Sequence, residues 1–273
     1  MNLSVIIRTR NPESWLDKTL TGFALQARRD FEVIVADEGG SRSTSELVAG
    51  RRQGYPVPLR HVRCGDAGGS EAIGQAIRAA AHDYVLMTNS NCIPCRDFVA
   101  VHAGLAGPGR FLSAGCCRVD GELGRRVSRN DIVRGHCFEL DWLQSHGRMA
   151  AADRRRLGGS PMVARLLEAL APAAATFNAC NASAWKDDLL AACDGDARSG
   201  DLGKRLQGLG VRGQRIRDRA VCLHLGHAGG ERPVETCPDL GAMGEVSHGS
   251  LLARTQAGHG RAGNEMAIPG RRS

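Results

Sequence analysis

Aromatic residues are scarce in this chain of 273 residues, at 4%. A surface that stacks nucleobases needs several exposed rings, so a single-strand nucleic-acid platform is excluded. Zinc-finger, ribonucleoprotein and helix-turn-helix signatures are also missing, which argues against nucleic acid as a partner. No apolar run approaches the roughly 20 residues of a membrane-crossing helix. The opening MNLSVIIRTRN has no basic leader, and its apolar run is too short for a signal-peptide core. The expected location is therefore cytoplasmic. No G-x-G-x-x-G follows the first strand-like run, where the residues read RTRNPE, and this disfavours NAD and FAD. Internal repeats are absent as well.

What is present is ordinary for a soluble globular chain: 42% hydrophobic and 24% charged residues. The length suffices for one large domain or two small ones. The net charge of +7, with a pI near 9.1, suits a phosphate-bearing substrate or peripheral contact with the inner face of an anionic membrane. The ten cysteines are scattered, and several sit within apolar runs. In a reducing compartment they read as small buried hydrophobes. Cys92-x-x-Cys95 has no second C-x-x-C to complete a zinc site, and its Ile-Pro filling follows a strand instead of opening a thioredoxin-like helix. A structural role is the favoured reading for that pair, with redox or metal chemistry the alternative.

The first half alternates strand and helix signals. Apolar runs at LSVIIRT, FEVIVAD, PLRHVRC, YVLMTN and GRFLSAGCCRV predict strands, and ESWLDKTLTGFALQA, TSELVAGRRQ, GSEAIGQAIRAAA and CRDFVAVHAGLA predict helices between them. A β-α-β series of this kind predicts a mostly parallel sheet flanked by helices. Ligands in such sheets sit beyond the carboxyl ends of the strands. That rule selects Thr9 to Asn11, Asp37 to Ser41, Cys64 to Gly69 and Asn89 to Asn91. Residues 120–172 are Arg-rich and predicted helical, ATFNACNASAW is strand-like, DLGKRLQGLG is a helix and RDRAVCLHLGH a last strand. Beyond residue 228, periodicity is weak; GSLLARTQA is a candidate helix and the end reads as a tail.

The order of these segments resembles the family-two glycosyltransferases of GT-A fold, from about residue 3 to residue 227. SVIIRTRN is similar to the family's opening strand and Thr-x-Asn turn. FEVIVADEGGS resembles its VIVVDDGS strand end. NSNCIPCRDFVAVH matches DGDCIPxPDFVxxH except at the two acids, CNASAWKDDLL resembles GCNxSxxRxDLL, and AVCLHLGH resembles the terminal strand with its histidine. The resemblance implies an α/β GT-A fold, with residues 1–118 as the nucleotide-sugar half, 119–228 as the acceptor-side half and 229–273 as an extension. It implies sugar transfer with inversion from a nucleotide-sugar, of UDP type, to a hydroxyl of a glycan or small-molecule acceptor. Thr9, Asn11, Asp37 and Glu38 then fall in the nucleotide-sugar set, with Asn89 and Asn91 near ribose and diphosphate. Asn91 and His224 fall at the metal, and Asn181 and Trp185 on the acceptor side.

The leaving diphosphate needs a counter-charge, which Mg²⁺ or Mn²⁺ held by carboxylates supplies in such enzymes. Here the D-x-D position reads Asn89-Ser90-Asn91. An asparagine carbonyl can ligate a hard cation but adds no charge, so the expected affinity is low. The family segment NGFDExxxGxGxEDxDLGxRL is shortened to CDGDARSGDLGKRL, and Asp201 is left either as a substitute base or as the N-cap of the following helix. Arg8 and Arg10 flank the first turn as candidate phosphate partners. The rival expectation is a glycosyltransferase-fold binding or scaffold protein without transfer.

Overall fold

The computed structural model describes residues 1–10, 13–64, 70–147, 149–160, 162–164, 166, 175–194, 202–216 and 218–226. The candidate tail helix and the extension 229–273 lie outside these residues. No described helix is long and apolar enough to cross a membrane.

The chain opens with β1 (Leu3–Thr9), α1 (Glu13–Ala24), β2 (Phe31–Asp37), α2 (Arg42–Arg52), β3 (Leu59–Arg63), α3 (Ser70–Ala79) and β4 (Tyr84–Asn89). All seven residues of β1 and of β2 are buried. Burial on both faces is why these strands read as continuous apolar runs instead of alternating ones. α1 buries Trp15, Leu16, Leu20 and Phe23. α2 starts at Ser41, whose hydroxyl accepts from the Thr44 amide.

β5 (Cys92–Pro94), α4 (Phe98–Leu105), β6 (Arg110–Ala114) and β7 (Cys116–Val119) come next. Four short helices follow: α5 (Gly121–Arg126), α6 (Arg129–Arg134), α7 (Leu140–His146) and α8 (Ala151–Gly158). β8 (Ala182–Trp185), α9 (Lys186–Asp194), α10 (Leu202–Gly208), β9 (Arg212–Ile216) and β10 (Cys222–Leu225) complete the described elements.

A seven-stranded sheet has the order β3-β2-β1-β4-β8-β6-β9, and a three-stranded sheet the order β5-β10-β7. β1, β2, β3 and β4 pair in parallel, and β8 runs antiparallel to both β4 and β6. The mostly parallel α/β expectation is met.

Three local expectations differ from the structure. GRFLSAGCCRV is not one strand: it breaks at Gly115, so that β6 joins the large sheet and β7 the small one. Side-chain amides take the carbonyls at the break. Asn178 donates to Ala114 O at 2.7 Å and Asn181 to Gly115 O at 3.0 Å. Cys92–Pro94 is itself a strand, antiparallel to β10. Its close packing on α1 requires Gly22, where an added Cβ would lie 2.6 Å from the Pro94 ring. β9 was not foreseen, because RGQRI is an edge strand with a partly exposed, charged face.

A buried polar chain ties α4 to β4 and β8. Tyr84 OH lies 2.9 Å from Ser183 Oγ, Ser183 Oγ 2.7 Å from His102 Nδ1, and His102 Nε2 2.9 Å from Asn181 Oδ1. Burial pushes the His102 imidazole down to about 4, against the smaller opposing effect of Asn181. The native state therefore resists protonating a group that the unfolded chain protonates near its ordinary value. Stability from this group is full above the unfolded pKa and is lost as pH falls from about 6.5 to about 4. The expected loss is up to about 3 kcal/mol. Urea unfolding across this range should show a steeper pH dependence for the native chain than for His102→Gln; equal slopes would refute the assignment.

Candidate functional site

The chain places β2 and β3 on one side of β1 and β4 on the other. The reversal makes a crevice beyond the carboxyl ends of β1 and β4, where open α/β sheets bind their ligands. Strand register fixes what meets there. Thr9 pairs with Asp37 across β1 and β2, and Arg8 with Asn89 across β1 and β4. Thr9, Asp37 and Asn89 are thus brought to one edge, and Asn91 follows two residues beyond β4.

Asp37 is fully buried. Its Oδ1 accepts from the amides of Gly39 and Gly40 at 3.1 and 2.9 Å, closing a tight turn. Gly40 has a φ of 60°, in the left-handed region that glycine adopts without strain. Oδ2 of Asp37 lies 3.1 Å from His61 Nε2. His61 was missed in the sequence; its signal was its place on β3, opposite Val35 and two residues short of Asp37 in register.

Glu38 is buried and lies between two arginines, 2.8 Å from Arg8 Nε and 3.7 Å from Arg10 Nη2. The Arg8 side chain is buried as well, whereas that of Arg10 is about half exposed. With Asp37 alongside, two carboxylates and two guanidiniums balance at this edge, and Arg10 is the guanidinium that reaches solvent.

The asparagines at the D-x-D position face inward. Asn89 Nδ2 donates to Cys180 Sγ at 3.1 Å. Asn91 Nδ2 donates to Leu225 O at 3.0 Å and lies 3.3 Å from His224 Nε2. Asn91 Oδ1 lies 3.7 Å from Cys92 Sγ. Neutral amides, an imidazole and thiols are what this position offers, while Asp37 and Glu38 are engaged by His61 and the arginines. Mg²⁺ and Mn²⁺ are hard cations that favour oxygen ligands, carboxylates among them. The donor set does not fit them.

The remaining expected residues separate. Asn181 is fully buried and donates to Gly115 O and to Ala220 O at 2.7 Å, so it holds the junction of the two sheets instead of facing an acceptor. Trp185 pairs with Tyr84, at the opposite end of β4 from Asn89. Five residues at about 3.3 Å each put it roughly 17 Å away along the strand. There it donates to Gly107 O at 3.0 Å and packs edge-on against Tyr84. The acceptor-side expectation for Trp185 does not match this position. Asn11 and Asp201 lie outside the described residues.

The sequence profile of glycosyl transferase family 2 matches residues 4–156, more than half of the chain. A search among curated proteins gave no match. Among solved structures, a mannosyltransferase from Pyrobaculum calidifontis in complex with GDP-Man and Mn²⁺ aligns with a TM-score of 0.54 at 21% identity, over 85% of this chain and 58% of the other. Residues 1–349 of TarS from S. aureus, in complex with UDP-GlcNAc, align with a TM-score of 0.53 at 16% identity, over 85% of this chain and 60% of the other. The chain thus spans less than two thirds of the length of either structure.

The buried Arg8–Glu38 pair makes a clear stability prediction. Removing one partner strands a desolvated charge, whereas replacing both with apolar groups does not. Glu38→Ala should cost about 3–5 kcal/mol by urea unfolding. The double variant Arg8→Met, Glu38→Leu should recover most of that loss. A double variant as unstable as the single one would contradict this account.

Proposed function

Because the chain belongs to glycosyl transferase family 2, we propose that it binds a nucleotide-sugar of UDP type in the β1–β4 crevice and transfers the sugar, with inversion, to a hydroxyl acceptor. One observation carries this reading: Thr9, Asp37 and Asn89 are aligned by register at the strand ends where the chain order reverses. Asp37, fully buried, accepts from the Gly39 and Gly40 amides and fixes the turn against which the base would lie. Two of the aligned structures were solved with GDP-Man and with UDP-GlcNAc, which supports a nucleotide-sugar in this fold.

The counter-charge for the diphosphate is assigned to Arg10, the half-exposed guanidinium, with Arg8 paired to Glu38 behind it. Counter-charge on a leaving group can come from guanidinium groups as well as from an ion. Asn89 and Asn91 contribute amide dipoles at the ribose and diphosphate. The proton of the acceptor hydroxyl goes to Asp201, assigned by its place in the shortened motif. Donor binding is accordingly independent of Mn²⁺.

A second reading is favoured by one specific observation: both asparagine amides at the D-x-D position are turned into the protein. This suits a protein that binds the donor without transferring its sugar.

Calorimetric titration with UDP-GlcNAc, UDP-glucose and GDP-mannose, with Mn²⁺ added or withheld, tests the proposal. We expect binding of a UDP-sugar, unchanged by Mn²⁺ and weakened at least tenfold in Asp37→Asn, which keeps the turn's acceptor and loses the charge. Absence of binding by any of the three sinks the donor site. Binding strengthened by Mn²⁺ sinks the arginine assignment. Binding without release of UDP in the presence of broad acceptor mixtures selects the second reading.

A further inference from the structure

Behind the asparagines lies a group of sulfurs that sugar transfer does not use. In the small sheet, Cys92 of β5 stands opposite His224 of β10, and Cys222 of β10 opposite Cys116 of β7. Cys222 and His224 are two residues apart, so they share a face. The face therefore presents three thiols and an imidazole from three strands. Cys180, just before β8, covers them from the large sheet. The other face of the same strands carries Ile93, Cys117, Leu223 and Leu225, which belong to a separate apolar cluster.

We infer that Cys92, Cys180 and His224, with Cys222 or Cys116 as fourth ligand, form a binding site for a thiophilic divalent cation of the zinc class. The ligand atoms of Cys92, Cys180 and His224 all lie within 4.8 Å of one another. Cys116 and Cys222 sulfurs are 3.2 Å apart. That falls between the roughly 2.0 Å of a disulfide and the roughly 3.8 Å edge implied by zinc–sulfur bonds of about 2.3 Å in a tetrahedron.

The surroundings point the same way. Two asparagine amides aim N–H groups at two different sulfurs: Asn89 at Cys180 (3.1 Å) and Asn178 at Cys116 (3.6 Å). Donors of this kind compensate thiolate charge and orient metal ligands. Loading displaces thiol protons to solvent as sulfur–metal bonds form. Soft sulfur and imidazole ligands select Zn²⁺-like ions over the hard cations that the asparagines do not fit. Scattered packing cysteines would not converge in this way. Cys117, next in sequence, faces away and lies 3.7 Å from Asp153 O.

The test needs no sugar donor, so its outcome is independent of the transfer reading. The full chain is purified anaerobically under reducing conditions, its metal content measured, and Co²⁺ titrated into metal-stripped protein. One ion per chain and a sulfur-to-cobalt charge-transfer band are expected. The band should vanish in Cys92→Ser and in Cys180→Ser, weaken with changed ligand-field bands in His224→Ala, and persist in Cys117→Ser and Cys95→Ser. Loss in only one of Cys116→Ser and Cys222→Ser identifies the fourth ligand. As a check on folding, Zn²⁺ should raise the melting temperature of the native chain and leave that of Cys180→Ser unchanged. No stoichiometric metal together with no cobalt band, or a band indifferent to Cys92 and Cys180, overturns the inference. So does a Cys116–Cys222 disulfide formed in preference to metal uptake.

Discussion

Every feature of the candidate site depends on the parallel pairing of β1 with β2 on one side and β4 on the other. This register sets Thr9 against Asp37 and Arg8 against Asn89. A shift of one residue in either pairing would turn the whole strand over, since side chains alternate with a period of two. Close packing of side chains on both buried faces of β1 and β2 resists such a shift. The crevice is a product of core packing before it is a product of any ligand contact.

Charge at the crevice is handled internally. Asp37 is held by two backbone amides and His61, and Glu38 by two arginines. Where a hard-cation site would place carboxylates, the chain has amides. These amides belong to a larger set. Asn89, Asn91, Asn178 and Asn181 span the gap between the two sheets and bond to backbone carbonyls or sulfurs. Buried amides must be satisfied, and here their partners come from the break at Gly115 and from β10. Loss of negative charge and gain of a rigid polar seam are two aspects of one set of residues.

Much of the fold was legible. LSVIIRT and FEVIVAD read as buried parallel strands because their β-branched apolar residues run consecutively, and the spacing of Trp15, Leu16, Leu20 and Phe23 reads as α1. The strand ends then located Thr9, Asp37 and Asn89 by a topological rule alone. The break at Gly115 was not legible, since FLSAGCCRV is mostly apolar and the amides that take the carbonyls at the break come from asparagines more than sixty residues away. Trp185 looked like a site residue within its motif, but the antiparallel register of β8 carries it to the far end of β4. The cysteines were read as scattered because their spacing, from 92 to 222, follows no linear ligand pattern. Only the pairing of β5, β10 and β7 brings them to one face.

The small sheet has two unlike faces, one of sulfur, imidazole and amide, the other of Ile93, Leu223, Leu225 and Val119 packed under α5 and α7. The sulfurs of the first face pack into the core shared with the large sheet, so the small sheet is held from both sides. An ion taken up on the sulfur face would sit inside that shared core and would tie the small sheet to the large one through Cys180.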